Sequence, residues 1–242
     1  MKKTHFIASI TLVISNICIS QSVTIGTQTW MTKNLSVSNF RNGDPIPEVK
    51  GNADWLKAGK ERKPAWCYFH NDSSEGAIYG KLYNGWAVYD PRGLAPEGWH
   101  IPSMGEWDTL IYFLSRGYGK DRALLKMKTK SESDWPSYGY GAADFVPRYG
   151  NNSSGFSLIP NPYREANNGN SKFGGQLCGD NFCIMKDAYI WSSSINPERF
   201  SSAFPETADS RSAPMIFSTN NHRPDFIIQT QDFGLVVRCV HD

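Results

Sequence analysis

Along this chain the spacing of apolar and polar side chains changes period several times, and each change marks an element. Val23-Thr24-Ile25-Gly26 and Thr29-Trp30-Met31 alternate with a period of two about a polar turn, which predicts two short strands. Arg41-Asn42-Gly43-Asp44-Pro45 is a turn cluster. Residues 52–59 read as a short helix closed by Gly59, and residues 65–69 as a strand carrying Cys67. Residues 82–89 fit either a helix or a strand. The clearest local pattern is Ser103-Met104-Gly105-Glu106, a reciprocal capping box in which each end residue's side chain can bond the other's backbone amide. Behind it Trp107, Leu110, Ile111 and Leu114 recur at three and four residues, one apolar helical face, and Gly117 closes the helix. Residues 131–155 turn to Ser, Gly, Tyr, Asn and Pro without an apolar period, a long irregular region and not a second core. Strand candidates follow at 156–159, 188–191, 226–229 and 235–240. The pattern predicts an α+β domain of few helices, short strands and long loops.

The first residues obey a different logic. Lys2 and Lys3 precede an apolar stretch of about fourteen residues, too short for the roughly 20 that cross a bilayer. Small side chains at Cys18 and Ser20 place a cleavage before Gln21, so residues 1–20 read as a signal peptide and 21–242 as one exported domain. Lipidation at Cys18 is the competing reading, but Ile17 stands where a small residue is usual. No later stretch is of membrane-spanning length. Without Lys2 and Lys3 the 25 basic residues fall to 23, matching the 23 acidic ones. A balanced chain offers no electrostatic footprint for nucleic acid.

Export also changes how the cysteines read. Cys67, Cys178, Cys183 and Cys239 remain after the leader, an even count that in an oxidising compartment implies two disulfides. Three connectivities are open. The preferred one closes a tight loop with Cys178–Cys183 and ties an early strand to the last with Cys67–Cys239. A four-thiol zinc site is disfavoured, because only one pair is close in sequence.

Seven segments together resemble one family. They are Trp30-Met31-Thr32-Lys33-Asn34-Leu35, Trp66-Cys67-Tyr68, Gly80-Lys81-Leu82-Tyr83-Asn84, the run from Gly93 to Pro102, Ser154-Gly155-Phe156-Ser157, Trp191-Ser192-Ser193-Ser194 and Val237-Arg238-Cys239-Val240. In this order they resemble the Fibrobacter succinogenes major paralogous domain, and the Trp99–Pro102 run with Glu106-Trp107 resembles a motif of the formylglycine-generating superfamily. The resemblance implies a C-type-lectin-like fold: a small mixed or antiparallel sheet, about two helices, long loops, and chain ends paired in the sheet. A Cys67–Cys239 bond would suit that fold. No activity is implied, and fold analogy cannot supply one.

Candidate chemistry is sparse. His100 would need an oriented partner to act as a base, and a packed structural histidine accounts for it. His70, Asn71, Asp72 and Glu75 lack the ordered oxygens of a calcium loop and read as a solvated turn. Asn196-Pro197-Glu198 and Arg223-Pro224-Asp225 depart from the sugar-binding calcium motifs of C-type lectins. Ser192 to Ser194 have no named His or acid to activate them. Cys178 and Cys183 share the spacing of the copper-binding thiols of formylglycine-generating oxidases, where soft thiolates select Cu(I), but not their location.

What remains are rings. Trp135, Tyr138, Tyr140 and Tyr149 lie in the irregular region, where flat rings with polar tips suit a sugar or a protein surface. The resulting expectation is a non-catalytic, secreted or cell-surface bacterial recognition or adhesion module, binding an extracellular glycan or surface protein through Trp135, Tyr138, Tyr140 and Tyr149. It has no catalytic residue, no metal ligand and no cofactor, calcium being the one ion the fold resemblance would admit. A copper thiol oxidase using Cys178 and Cys183, or a purely structural envelope protein, are the alternatives.

Overall fold

Gly26 takes a φ of +63°, a left-handed conformation that costs glycine nothing. It lets β1 (Ser22–Ile25) fold back antiparallel on β2 (Gln28–Met31), with Ile25 opposite Gln28. This computed structural model describes residues 21–131, 134–135, 149–167, 170–174, 178–179, 182–183, 187–195, 215–217, 224–226 and 230–242; the leader, residues 1–20, lies outside them. After a loop, α1 (Asn52–Lys60) buries Trp55, whose indole donates to the Asp232 carbonyl at 2.8 Å. Gly59 is needed on that face, since a β-carbon there would meet the Asp232 Cβ at 2.8 Å.

The ambiguous residues 82–89 are both things in turn. β3 (Trp66–Cys67) precedes a short helical turn, α2 (Gly76–Tyr79), and then β4 (Leu82–Asn84) pairs antiparallel with β3. Asn84 ends the strand and starts α3 (Gly85–Val88). Its side-chain oxygen accepts from the Ala87 amide at 3.0 Å as the helix cap and from the Ala65 amide at 3.0 Å. Caps of this kind contribute about 1 kcal/mol.

β5 (Trp99–His100) leads into α4 (Met104–Ser115), which carries the complete capping box between Ser103 and Glu106. The helix closes one residue earlier than Gly117 suggests. Arg116 takes the left-handed C-cap at φ +50°, and Gly117 follows at +77°. α5 (Lys120–Met127) then packs against α4, burying Ala123, Leu124 and Met127. The sequence reading assigns no helix here, although these three residues have helical spacing.

Sheet elements dominate the remainder: β6 (Tyr163–Asn167), β7 (Asn170–Gly174), β8 (Cys178–Gly179), β9 (Phe182–Cys183), β10 (Ala188–Ile190), β11 (Met215–Phe217), β12 (Pro224–Phe226), β13 (Gly234–Leu235) and β14 (Val240–His241). Among the described residues they form a four-stranded sheet β1-β2-β14-β5 and a five-stranded sheet β3-β4-β13-β6-β7. A three-stranded sheet β10-β11-β12 and the pair β8-β9 complete the set. The fold is α+β, with the ends of the domain joined where Val240 pairs with Trp30. Residues 156–159 form no strand; Leu158 makes only a bridge to Lys128.

Two apolar cores lie between these layers. One holds Trp30, Trp107, Phe156, Leu110 and Cys67; the other holds Tyr83, Trp191, Leu235, Val237 and Cys239. This division corrects the expected Cys67–Cys239 bond. Cys67 is bound into the β3–β4 ladder opposite Leu82, while the Cys239 carbonyl accepts from the Met31 amide at the β2 edge. Both are buried free thiols, and burial pushes Cys67 up to about 11 and Cys239 up to about 12.

Buried cations fill gaps that apolar side chains leave. The Lys81 ammonium sits 3.5 Å from the Trp66 ring centre and donates to the Ser38 hydroxyl. Arg164 lies over Trp55 and donates to the Val49 and Lys50 carbonyls and to the Asn52 side chain. Rings and carbonyls thus stand in for the water that burial removes.

Candidate functional site

The residues that look chemical in the sequence are tied into the scaffold. His100, on β5, approaches the Glu106 carboxylate at 2.5 Å through Nε2 and the Asp242 carboxylate at 2.7 Å through Nδ1. The other Glu106 oxygen accepts from the Ser103 amide and hydroxyl, both at 2.8 Å. Burial alone would lower the His100 pKa, but the bonds and charges of the two acids outweigh it and hold it above the ordinary value. Burial likewise pushes Glu106 up, and the Ser103 amide, His100 and the Ser103 hydroxyl bring it below the carboxylate norm. The result is a carboxylate–imidazolium–carboxylate staple joining β5, the start of α4 and the residue after β14. Both ring nitrogens are engaged by carboxylates of the scaffold, so the group acts as a clamp.

The serines are occupied in a similar way. Ser194 Oγ accepts from the Met104 amide at 2.9 Å and Ser192 Oγ from the Ser194 amide at 3.1 Å, pinning this loop to the start of α4. His70 has φ +51° and stacks on Phe69 at 3.7 Å. The neighbouring Asp72 carboxylate caps the Ser74 amide. Among the described residues no three His, Cys, Asp or Glu side chains converge on a metal position.

Of the ring residues read as a binding surface, Trp135 is a correction. It is wholly buried, its indole donates to Thr129 Oγ1 at 3.0 Å, and the Lys128 ammonium lies 4.3 Å from its ring centre. It belongs to the apolar core that also holds Trp107 and Met127. Tyr149 is exposed, and Tyr138 and Tyr140 lie outside the described residues. Cys178 and Cys183 face each other across the β8–β9 pair.

The exposed rings are elsewhere, where the sequence reading placed nothing. α4 turns Trp107, Leu110, Ile111 and Leu114 inward, which leaves Tyr112 and Phe113 on the outside, 73% and 53% exposed. Tyr118, in the turn to α5, is 74% exposed. Phe113 leans onto the β1–β2 turn, where a β-carbon at Gly26 would come within 2.9 Å of its ring. Arg116, the C-cap residue, follows Tyr112 by four residues, and the Arg122 guanidinium stands 5.0 Å from the Tyr118 ring centre. The helical spacing puts Tyr112 and Phe113 off the apolar face of α4; that they stay uncovered is decided by the tertiary structure.

No helix among the described residues is long and apolar enough to cross a membrane. Neither a curated protein nor a solved structure matches the chain. One family model does, over nearly its whole length. The segments that carry the likeness meet in space as structural parts: Trp191 donates its indole hydrogen to the Tyr83 carbonyl at 2.8 Å, and Arg238 bridges Asn34 to the Phe156 carbonyl. With residues 23–241 matched by the Fibrobacter succinogenes major domain, the chain belongs to that family.

Proposed function

We propose that this protein is a non-catalytic recognition module, exported by its leader to the bacterial surface or medium and built on a C-type-lectin-like scaffold. Its contact surface is the outward face of α4 with the turn to α5. The observation that carries this reading is the exposure of three large rings, Tyr112 and Phe113 on α4, whose other face is packed, and Tyr118 in the turn that follows. Such rings have only two side-chain torsions to fix on binding and offer large contact area, the tyrosines with a polar tip as well. The staple at His100 supports the same reading, since it spends the best-placed imidazole on holding the scaffold.

The test is a glycan array and a pull-down from envelope extracts, each run with the protein and with a Tyr112→Ser/Tyr118→Ser variant. Capture of a defined ligand that the variant loses supports the reading. A folded protein that captures nothing in either format defeats it.

The register of β8 and β9 favours a second reading, because it sets Cys178 opposite Cys183. Cysteines paired in this backbone register suit a disulfide or a Cu(I) site in a thiol oxidase. Non-reducing peptide mapping separates the two. A quantitative Cys178–Cys183 link, with no copper uptake after reduction, removes the oxidase.

A further inference from the structure

We infer that the α4–α5 face binds an acidic glycan, a polysaccharide carrying carboxylate or sulfate groups. The inference rests on the recognition reading above and names its ligand class.

Ring chemistry supplies the first half of the argument. Two of the three exposed rings are tyrosines, which pair a flat face for the C–H side of a pyranose with a hydroxyl for its oxygens. Phe113 is braced against the turn at Gly26, so the platform is anchored at one end to the β1–β2 hairpin.

Charge supplies the second half. Arg116, Lys120 and Arg122 are all exposed around the rings. Arg116 stands at the C-cap of α4, four residues after Tyr112, and the Arg122 guanidinium lies over the Tyr118 ring. A planar guanidinium donates in parallel to the two oxygens of a carboxylate or sulfate. Of the nearby acids, Asp121 folds back over Gly119 at the first turn of α5, where the positive end of the helix attracts it, and Asp108 stands one turn before Tyr112 on the same face of α4, so three exposed cations, Arg116, Lys120 and Arg122, face two acids here. In an exported chain with equal acids and bases, this basic rim is local and therefore directional. An anionic lipid surface would also meet cations, but an interfacial anchor calls for deeper apolar side chains than two hydroxyl-tipped rings.

Binding of the purified protein to polygalacturonate, dextran sulfate, neutral dextran and phosphatidylglycerol vesicles tests this. Two double variants accompany it, Arg116→Gln/Arg122→Gln and Tyr112→Ser/Tyr118→Ser, each checked for an unchanged melting curve. The expected result is binding to at least one acidic polymer that weakens with salt, falls about tenfold or more in each variant, and is absent for neutral dextran. Acidic-polymer binding that neither variant alters overturns the inference. So does binding to the vesicles that depends on the same residues while the polymers are ignored. Ligands captured through the tyrosines alone, on a neutral glycan or a protein, overturn the acidic-glycan inference and leave the recognition reading standing. Silence from every probe, together with an empty array and pull-down, defeats both.

Discussion

Arg238 donates to the side-chain oxygen of Asn34 from two nitrogens, Nε at 3.1 Å and Nη2 at 2.9 Å, across 204 residues of sequence. Arg238 is 1% exposed, its guanidinium lies over the Phe156 ring at 4.7 Å, and Nη1 donates to the Phe156 carbonyl at 2.7 Å. One buried cation thus fastens the loop after β2, the segment after α5 and the stretch before β14 to one another.

Removing its acceptor is therefore expensive. Asn34→Ala leaves two guanidinium hydrogens without a partner in a dry site, and we expect a loss of about 2–3 kcal/mol. Urea denaturation measures it. A midpoint within experimental error of the parent would show that the amide does not hold the cation.

The His100 staple makes stability depend on pH in two directions. The His100 pKa is raised from 6.5, so its contribution is complete below that value and is lost as pH rises through the folded one. Glu106 is lowered from 4.5, so its contribution is complete above that value and is lost as pH falls through the folded one. The clamp is strongest between roughly pH 4.5 and 6.5. The urea midpoint should fall between pH 6 and pH 8.5 in the parent and fall less in His100→Gln. Equal slopes in the two proteins would mean that the imidazole stabilises nothing.

Cys67 and Cys239 should be slow toward alkylating reagents. A thiol raised to about 11 or 12 by burial carries almost no thiolate at neutral pH, and the reagent cannot reach it. Peptide mapping after labelling should find both modified only once the protein is unfolded. A linked Cys67–Cys239 peptide from the untreated protein would contradict the separation of the two cores.

Trp135→Ala should act on folding and not on recognition. Deleting a wholly buried indole costs about 3–5 kcal/mol through lost transfer energy and the cavity left behind. Thermal unfolding will show the loss. The residual folded fraction should keep its affinity for any ligand, and a specific loss of binding at unchanged stability would return Trp135 to the contact surface.

Features that depend on a few neighbouring residues were readable in the sequence. The capping box at Ser103 and Glu106, the apolar face of α4 and the first hairpin are each set within a stretch of about ten residues, so spacing alone reveals them. The family motifs were equally visible, because they recur in order along the chain. Tertiary structure decided the rest. Residues 82–89 became strand and then helix because Asn84 caps one element while bonded to the end of another at Ala65. Trp135 went inside, and Tyr112, Phe113 and Tyr118 stayed out, because burial depends on which distant segments cover a residue. The pairing of Arg238 with Asn34 and the parting of Cys67 from Cys239 are contacts between remote stretches. No local period records them, and only the packed chain settles which groups meet.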